Sequence, residues 1–160
     1  MSADACCSPP LASGVVACPT CGGPGKSVEL LTVKSLVDPV ALRRLEPGSY
    51  RLCVGRDCGT VYFDTASGTR FTRDEMRVAV WEKEPAGSRT ICYCFGENEA
   101  DMQREIEQSG SSRAAERVRA HIAAGRCACE TRNPRGVCCL RDLIEAARGL
   151  QIAATTGSTG

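Results

Sequence analysis

Cys18-Pro19-Thr20-Cys21-Gly22-Gly23, answered later by Cys53-Val54-Gly55-Arg56-Asp57-Cys58-Gly59, is the part of this 160-residue chain whose reading decides the fold. Each stretch sets two thiols on one tight turn, which is what a tetrahedral metal asks of a protein. A disulfide between neighbours this close would be strained. The glycines let the backbone fold tightly behind each second sulfur. Thirty-one residues separate Cys21 from Cys53, ordinary for a zinc ribbon with inserted strands. Presented by a β-hairpin, Cys18, Cys21, Cys53 and Cys58 make a closed cage of four thiolates. Such a cage suits zinc, and it also suits a single iron. It leaves no open coordination position, so its expected role is structural.

The chain has 12 cysteines, and the other eight are also grouped. They fall as Cys6-Cys7, Cys92-x-Cys94, Cys127-x-Cys129 and Cys138-Cys139. Three short helices would bring the last three groups to one end. Helix N-termini there offer N–H donors and a positive dipole to an anionic centre. A 2Fe-2S cluster on four thiolates is such a centre. Arg126, Arg132, Arg135 and Arg141 lie near these cysteines and either offset its charge or form a solvated basic surface. Asn133-Pro134-Arg135-Gly136 is a turn signature that folds 127–139 back on itself. Cys6 and Cys7 form a vicinal dithiol for a soft ion such as Cu(I) or Hg(II), or else an oxidisable pair with no role.

Acids and bases are interspersed and the net charge is +1, which argues against a dedicated nucleic-acid binder. Aromatic residues make up 4% of the chain, too few for a large aromatic core. A small domain of this kind leans on metal in place of core. Residues 1–11 lack a secretory signal, and no apolar run is long enough to span a bilayer. The expected compartment is therefore the cytoplasm, where thiols stay reduced. Asp38, Asp57 and Asp64 make no acid–base set, and no Ser/His/Asp group, phosphate loop or coenzyme fingerprint is present. No catalytic residue is expected; an activity, if there is one, would be reductase-like redox chemistry on a metal ion. His121, the only histidine, is expected on a solvated helix face.

The expected fold class is α+β: a β-rich, zinc-ribbon-like subdomain at 18–84, then a three-helix 2Fe-2S subdomain at 88–150. Residues 1–17 read as a flexible lead and 151–160 as a disordered tail. Strands are predicted at 28–33, 50–54, 60–63 and 76–81. A short helix is predicted at 39–45 behind Asp38. Helices are predicted at 99–109, capped by Asn98 and stopped by Gly110, and at 112–124, closed by Gly125. A last helix follows Cys139, with Leu140, Leu143, Ile144 and Ala147 at helical spacing.

Cys92-x-Cys94, separated from Cys127 by 32 residues, resembles the bacterioferritin-associated ferredoxin pattern. With ICYCF at 91–95, GRCACE at 125–130, NPRGVCCL at 133–140, CPTCGGPGKSVELLTVKSL at 18–36 and CGTVYF at 58–63, residues 5–149 resemble the N-terminal domain of CopZ-type copper chaperones. The resemblance implies one zinc at Cys18, Cys21, Cys53 and Cys58. It implies one 2Fe-2S cluster at Cys92, Cys94, one of Cys127 or Cys129, and one of Cys138 or Cys139. Cys127 and Cys139 are the expected pair, with Cys129 and Cys138 as alternates. Cys139 directly opens the last helix, as the final ligand does in the ferredoxin pattern.

Chaperones of that family continue into a copper-carrying ferredoxin-like domain with its own CxxC loop. These 160 residues contain no such domain, so a separate protein is expected to carry Cu(I), or the metal is bound differently. The function implied is a redox-active metallochaperone that supports copper or other soft-metal handling, with one-electron reduction of Cu(II) as one use. A copper-carrying chaperone or a metal-exporting ATPase would be its partner. The alternatives are a small electron-transfer ferredoxin with a redox partner, a passive cysteine-rich heavy-metal buffer, and a zinc-only interaction module.

Overall fold

The computed structural model describes residues 15–157. They form two compact units. The first takes the described residues up to Glu84 together with residues 130–137. The second takes 85–129 and 138 onward.

The first unit is built on an antiparallel sheet in chain order: β1 (Val16–Ala17), β2 (Pro24–Ser27), β3 (Arg51–Cys53), β4 (Thr60–Phe63) and β5 (Arg70–Thr72). Neighbouring residues on a strand point to opposite faces. In β3, Leu52 therefore enters one apolar core while Cys53 enters another. The larger core gathers Val33, Val37, Tyr50, Leu52, Val61, Tyr62, Phe71 and Val80. The smaller one holds Cys18, Cys53, Cys58 and Phe63. Gly25 in β2 is there because the Phe63 ring lies against it; a Cβ would stand 2.6 Å from that ring.

The strand expected at 28–33 is a helix beyond its first residues. Val28 still donates to the Tyr50 carbonyl, and α1 then runs Leu30–Leu36. Thr32, Val33 and Leu36 are buried along it, followed by Val37. Packing of that stripe overrides the β preference of its branched residues. The helix expected at 39–45 is a single 3₁₀ turn, Ala41–Arg44, whose preceding Val40 N–H is held by Asp38 Oδ1 at 2.8 Å. The strand expected at 76–81 has no strand beside it. Met76 makes one bridge to Val37, and a 3₁₀ turn follows at Trp81–Lys83.

Residues 130–137 close this unit. Tyr62 donates to the Pro134 carbonyl at 2.6 Å. The Arg135 guanidinium lies 3.8 Å from the Trp81 ring centroid and pairs with Glu82. Gly136, at φ +69°, abuts Thr32, whose Oγ1 would be 2.6 Å from a Cβ there.

The second unit opens with a hairpin, β6 (Thr90–Cys92) and β7 (Glu97–Asn98), that sequence reading did not anticipate. Helices α2 (Glu99–Ser109), α3 (Ala114–Ala123), α4 (Cys129–Arg132) and α5 (Leu140–Thr156) follow, with only Cys129 of α4 in this unit. Asn98 caps α2 as expected, its Oδ1 accepting from the Asp101 N–H at 2.9 Å, and Gly110 ends it at φ +85°. Met102, Ile106, Val118 and Leu143 are buried between these helices. Helix α5 continues through 151–156, which the sequence reading assigned to the tail. The fold class is α+β, with a sheet first and helices after it. No helix among the described residues is long and apolar enough to cross a membrane.

Candidate metal centres

The first unit brings Cys18, Cys21, Cys53 and Cys58 together, with all four sulfurs within 4.8 Å of one another. Cys18 Sγ is 4.0 Å from Cys58 Sγ, and Cys21 Sγ is 3.6 Å from Cys53 Sγ. A tetrahedral zinc with bonds of about 2.3 Å has sulfur–sulfur edges of about 3.8 Å, so the donor set fits one ion. Cys18 follows β1, Cys53 ends β3, and Cys58 precedes β4. Gly22, at φ +73°, completes the first turn, and Gly23 N–H donates to Cys21 Sγ at 3.4 Å.

Burial and backbone donors act against each other here. Burial raises the Cys18 thiol, but the N–H groups of Cys21 and Thr20 outweigh it, so its pKa falls to about 7. Burial pushes Cys53 up to about 12, against the pull of the Gly55 N–H and the Lys83 ammonium. Gly55 is required for space: a Cβ there would lie 3.1 Å from Cys21 Sγ and 3.5 Å from Cys53 Sγ.

The second unit places Cys92, Cys94, Cys129 and Cys139 in one apolar core. All four are buried. Cys94 Sγ is 3.7 Å from Cys129 Sγ and accepts the Ala128 N–H at 3.2 Å. The Cys139 thiol interacts with those of Cys92 and Cys129 in the same core. These contacts, chiefly from Cys139, lower the Cys92 thiol, whose sulfur also takes the N–H groups of Phe95 and Cys94. The Cys129 thiol raises Cys94, and Cys129 with Cys92 raises Cys139. Four thiolates confined like this repel one another until a cationic centre joins them. Cys127 and Cys138 are half-buried beside this group. Among the described residues, the first-unit quartet is the only cluster of three or more such donors with every ligand atom within 4.8 Å.

The arginines divide by partner. Arg135 pairs with Glu82, Arg141 with Glu145, and Arg126 Nη1 is 3.1 Å from His121 Nδ1. His121 is half-buried and stacks on Phe95 at 4.1 Å between ring centroids, a contact its sequence setting did not reveal. Cys6 and Cys7 lie outside the described residues. Lys83 is the residue near the first quartet that sequence reading missed, and lysine is so seldom buried that nothing in the sequence singles it out.

Comparison with known proteins agrees with this geometry. Residues 15–77 match the family model of a zinc binding domain. The chain is 30% identical over 122 residues to the copper chaperone CopZ of Archaeoglobus fulgidus, a match covering 76% of this chain and 57% of that protein. It thus spans little more than half the length of this curated relative. The crystal structure of the Archaeoglobus fulgidus CopZ N-terminal domain superposes with a TM-score of 0.65 at 29% identity, covering 81% of this chain and 96% of that domain. Residues 15–77 therefore carry a zinc binding domain of the CopZ type, in a chain homologous to the CopZ N-terminal domain.

Proposed function

We propose that this chain is a redox-active metallochaperone module with one structural zinc and one 2Fe-2S cluster. Cys18, Cys21, Cys53 and Cys58 would hold the zinc. Their closed arrangement gives that ion the task of fixing the sheet. Cys92, Cys94, Cys129 and Cys139 would hold the cluster, so Cys129 takes the role that sequence spacing gave to Cys127. What supports this choice is burial and contact: Cys129 is 3% exposed with its sulfur 3.7 Å from Cys94, while Cys127 is half-buried.

The observation that carries the reading is the contrast between the two sulfur groups. One is tight enough for a single ion. The other is looser, with Cys94 and Cys129 as a close pair, and a centre of two bridged irons calls for a wider donor set than one ion does. When bound, such a cluster supplies one electron at a time, enough to take Cu(II) to Cu(I). The protein's own contribution is burial by Ile91, Met102, Val118 and Leu143, together with N–H donors to the sulfurs. Both tune a cluster's potential. Homology to CopZ favours copper as cargo and a copper-carrying chaperone or exporting ATPase as partner, with the cytoplasm as the place of work.

The test is iron, zinc and acid-labile sulfide content with the visible spectrum, on protein purified without oxygen. About two iron, two sulfide and one zinc per chain would support the reading. The dithionite-reduced protein should then turn Cu(II) into Cu(I), trapped by a Cu(I)-specific chelator, at about one copper per cluster. Zinc without sulfide, even after reconstitution, would leave a zinc module or metal buffer. A reducible cluster that leaves Cu(II) untouched would leave an electron-transfer ferredoxin.

A further inference from the structure

Lys83 is 3% exposed, and its ammonium has an unusual setting. Nζ donates to the Gly55 carbonyl at 2.5 Å, within the turn that joins Cys53 to Cys58. Its chain neighbours are both glutamates, yet neither pairs with it. Glu82 takes Arg135, and Glu84 takes Arg73 at 3.8 Å. Arg73 also donates to the Lys83 carbonyl at 2.7 Å, fixing the backbone that aims the side chain inward. A buried charge without an opposite charge is costly, and proteins rarely keep one. Among the described residues Lys83 has no carboxylate partner. Its bond to Gly55 sets the ammonium behind the turn between Cys53 and Cys58, where its charge acts on Cys53.

We propose that Lys83 is the counter-charge of the four-thiolate site. A divalent ion with four thiolates is a net dianion, and the buried ammonium offsets half of that charge from behind the Cys53–Cys58 turn. Lys83 is thus a positioning and charge-balancing residue, not a ligand. The inference rests on the assignment of zinc to Cys18, Cys21, Cys53 and Cys58.

The experiment measures zinc affinity of the full chain, purified without oxygen, by competition with a chromogenic chelator at fixed pH. Lys83→Gln keeps a hydrogen-bond donor for Gly55 without the charge. Lys83→Met removes both, and Lys83→Arg keeps both. Outer partners of metal sites are worth about 10–100-fold in affinity. Lys83→Gln and Lys83→Met should each weaken zinc by about that much, and Lys83→Arg should bind nearly as tightly as wild type. Wild-type affinity in Lys83→Gln would overturn the proposal, because the hydrogen bond alone would then suffice. Wild-type affinity in Lys83→Met would overturn it too. Cys18→Ser is run in parallel: if it keeps the zinc, the site assignment has failed, not the role of Lys83.

Discussion

The Tyr62 hydroxyl donates to the carbonyl of Pro134, 72 positions later, at 2.6 Å inside the first unit. A strand residue of the sheet that carries the first cysteine quartet thus grips a turn that sequence alone places among the cysteines at 127–139. Tyr62→Phe removes the donor and leaves a buried carbonyl unpaired, at a cost of about 1–3 kcal/mol. Arg135→Ala strands the Glu82 carboxylate and removes the stack on Trp81; breaking a buried pair this way costs about 3–5 kcal/mol. Urea unfolding of the zinc-loaded protein followed by Trp81 fluorescence measures both. Equal midpoints for wild type and Arg135→Ala would show that the turn contributes nothing.

The cysteine assignment predicts a sharp split between neighbours. Cys129→Ser and Cys139→Ser should purify without iron and sulfide. Cys127→Ser and Cys138→Ser should keep the visible bands of wild type. Metal analysis and absorption spectra decide it. A colourless Cys127→Ser beside a coloured Cys129→Ser would return the ligand to position 127.

Two glycines of one turn should respond differently. A Cβ at Gly55 presses on Cys21 Sγ at 3.1 Å and on Cys58 Cβ at 3.3 Å, whereas one at Gly59 meets nothing within 4 Å. Gly55→Ala should lower zinc affinity by about tenfold or more, as displaced support does at metal sites, and Gly59→Ala should leave it unchanged. Chelator competition on the two proteins is the check.

Asp64 gives a pH dependence whose sign follows from its bonds. It closes the β4–β5 turn, accepting from Ser67 Oγ at 2.7 Å and from Ser67 N–H at 2.9 Å. The Ser67 hydroxyl, against burial and with help from backbone N–H groups, holds this carboxyl below its ordinary 3.8. A carboxylate with a depressed folded-state pKa adds stability that is fully present above the unfolded value. That stability is lost as pH falls from about 3.8 through the lower folded value. Asp64→Asn should flatten the stability of the protein against pH in this acid range. Matching acid limbs in wild type and variant would rule the contribution out.

The grouping of Cys18, Cys21, Cys53 and Cys58 was readable because the knuckle turns are local: CPTCGG and the glycine-bracketed Cys53–Cys58 turn state their own geometry. The caps of α2 were readable for the same reason, Asn98 and Gly110 acting within one turn. The α1 segment was not. Val28–Val33 carries β-branched residues that favour a strand, and only the core contacts of Val33 and Val37 reveal a helix. Residues 76–80 do alternate in burial, yet a strand also needs a neighbour, and that is not written in the segment itself. The difference in burial between Cys127 and Cys129 was beyond spacing as well. The two residues differ by two positions, and what separates them is that Cys129 starts α4 and lies buried against Cys94 and Cys139.

The chain's path between the two units has a practical corollary. Because residues 130–137 pack with the first unit while 85–129 and 138 onward form the second, no single cut separates them. A fragment ending at Glu84 would leave Tyr62, Trp81, Glu82 and Thr32 facing the space of a missing turn. A fragment starting at Pro85 would carry that turn with nothing to hold it. Dissecting one half from the other therefore calls for supplying 130–137 as a separate peptide.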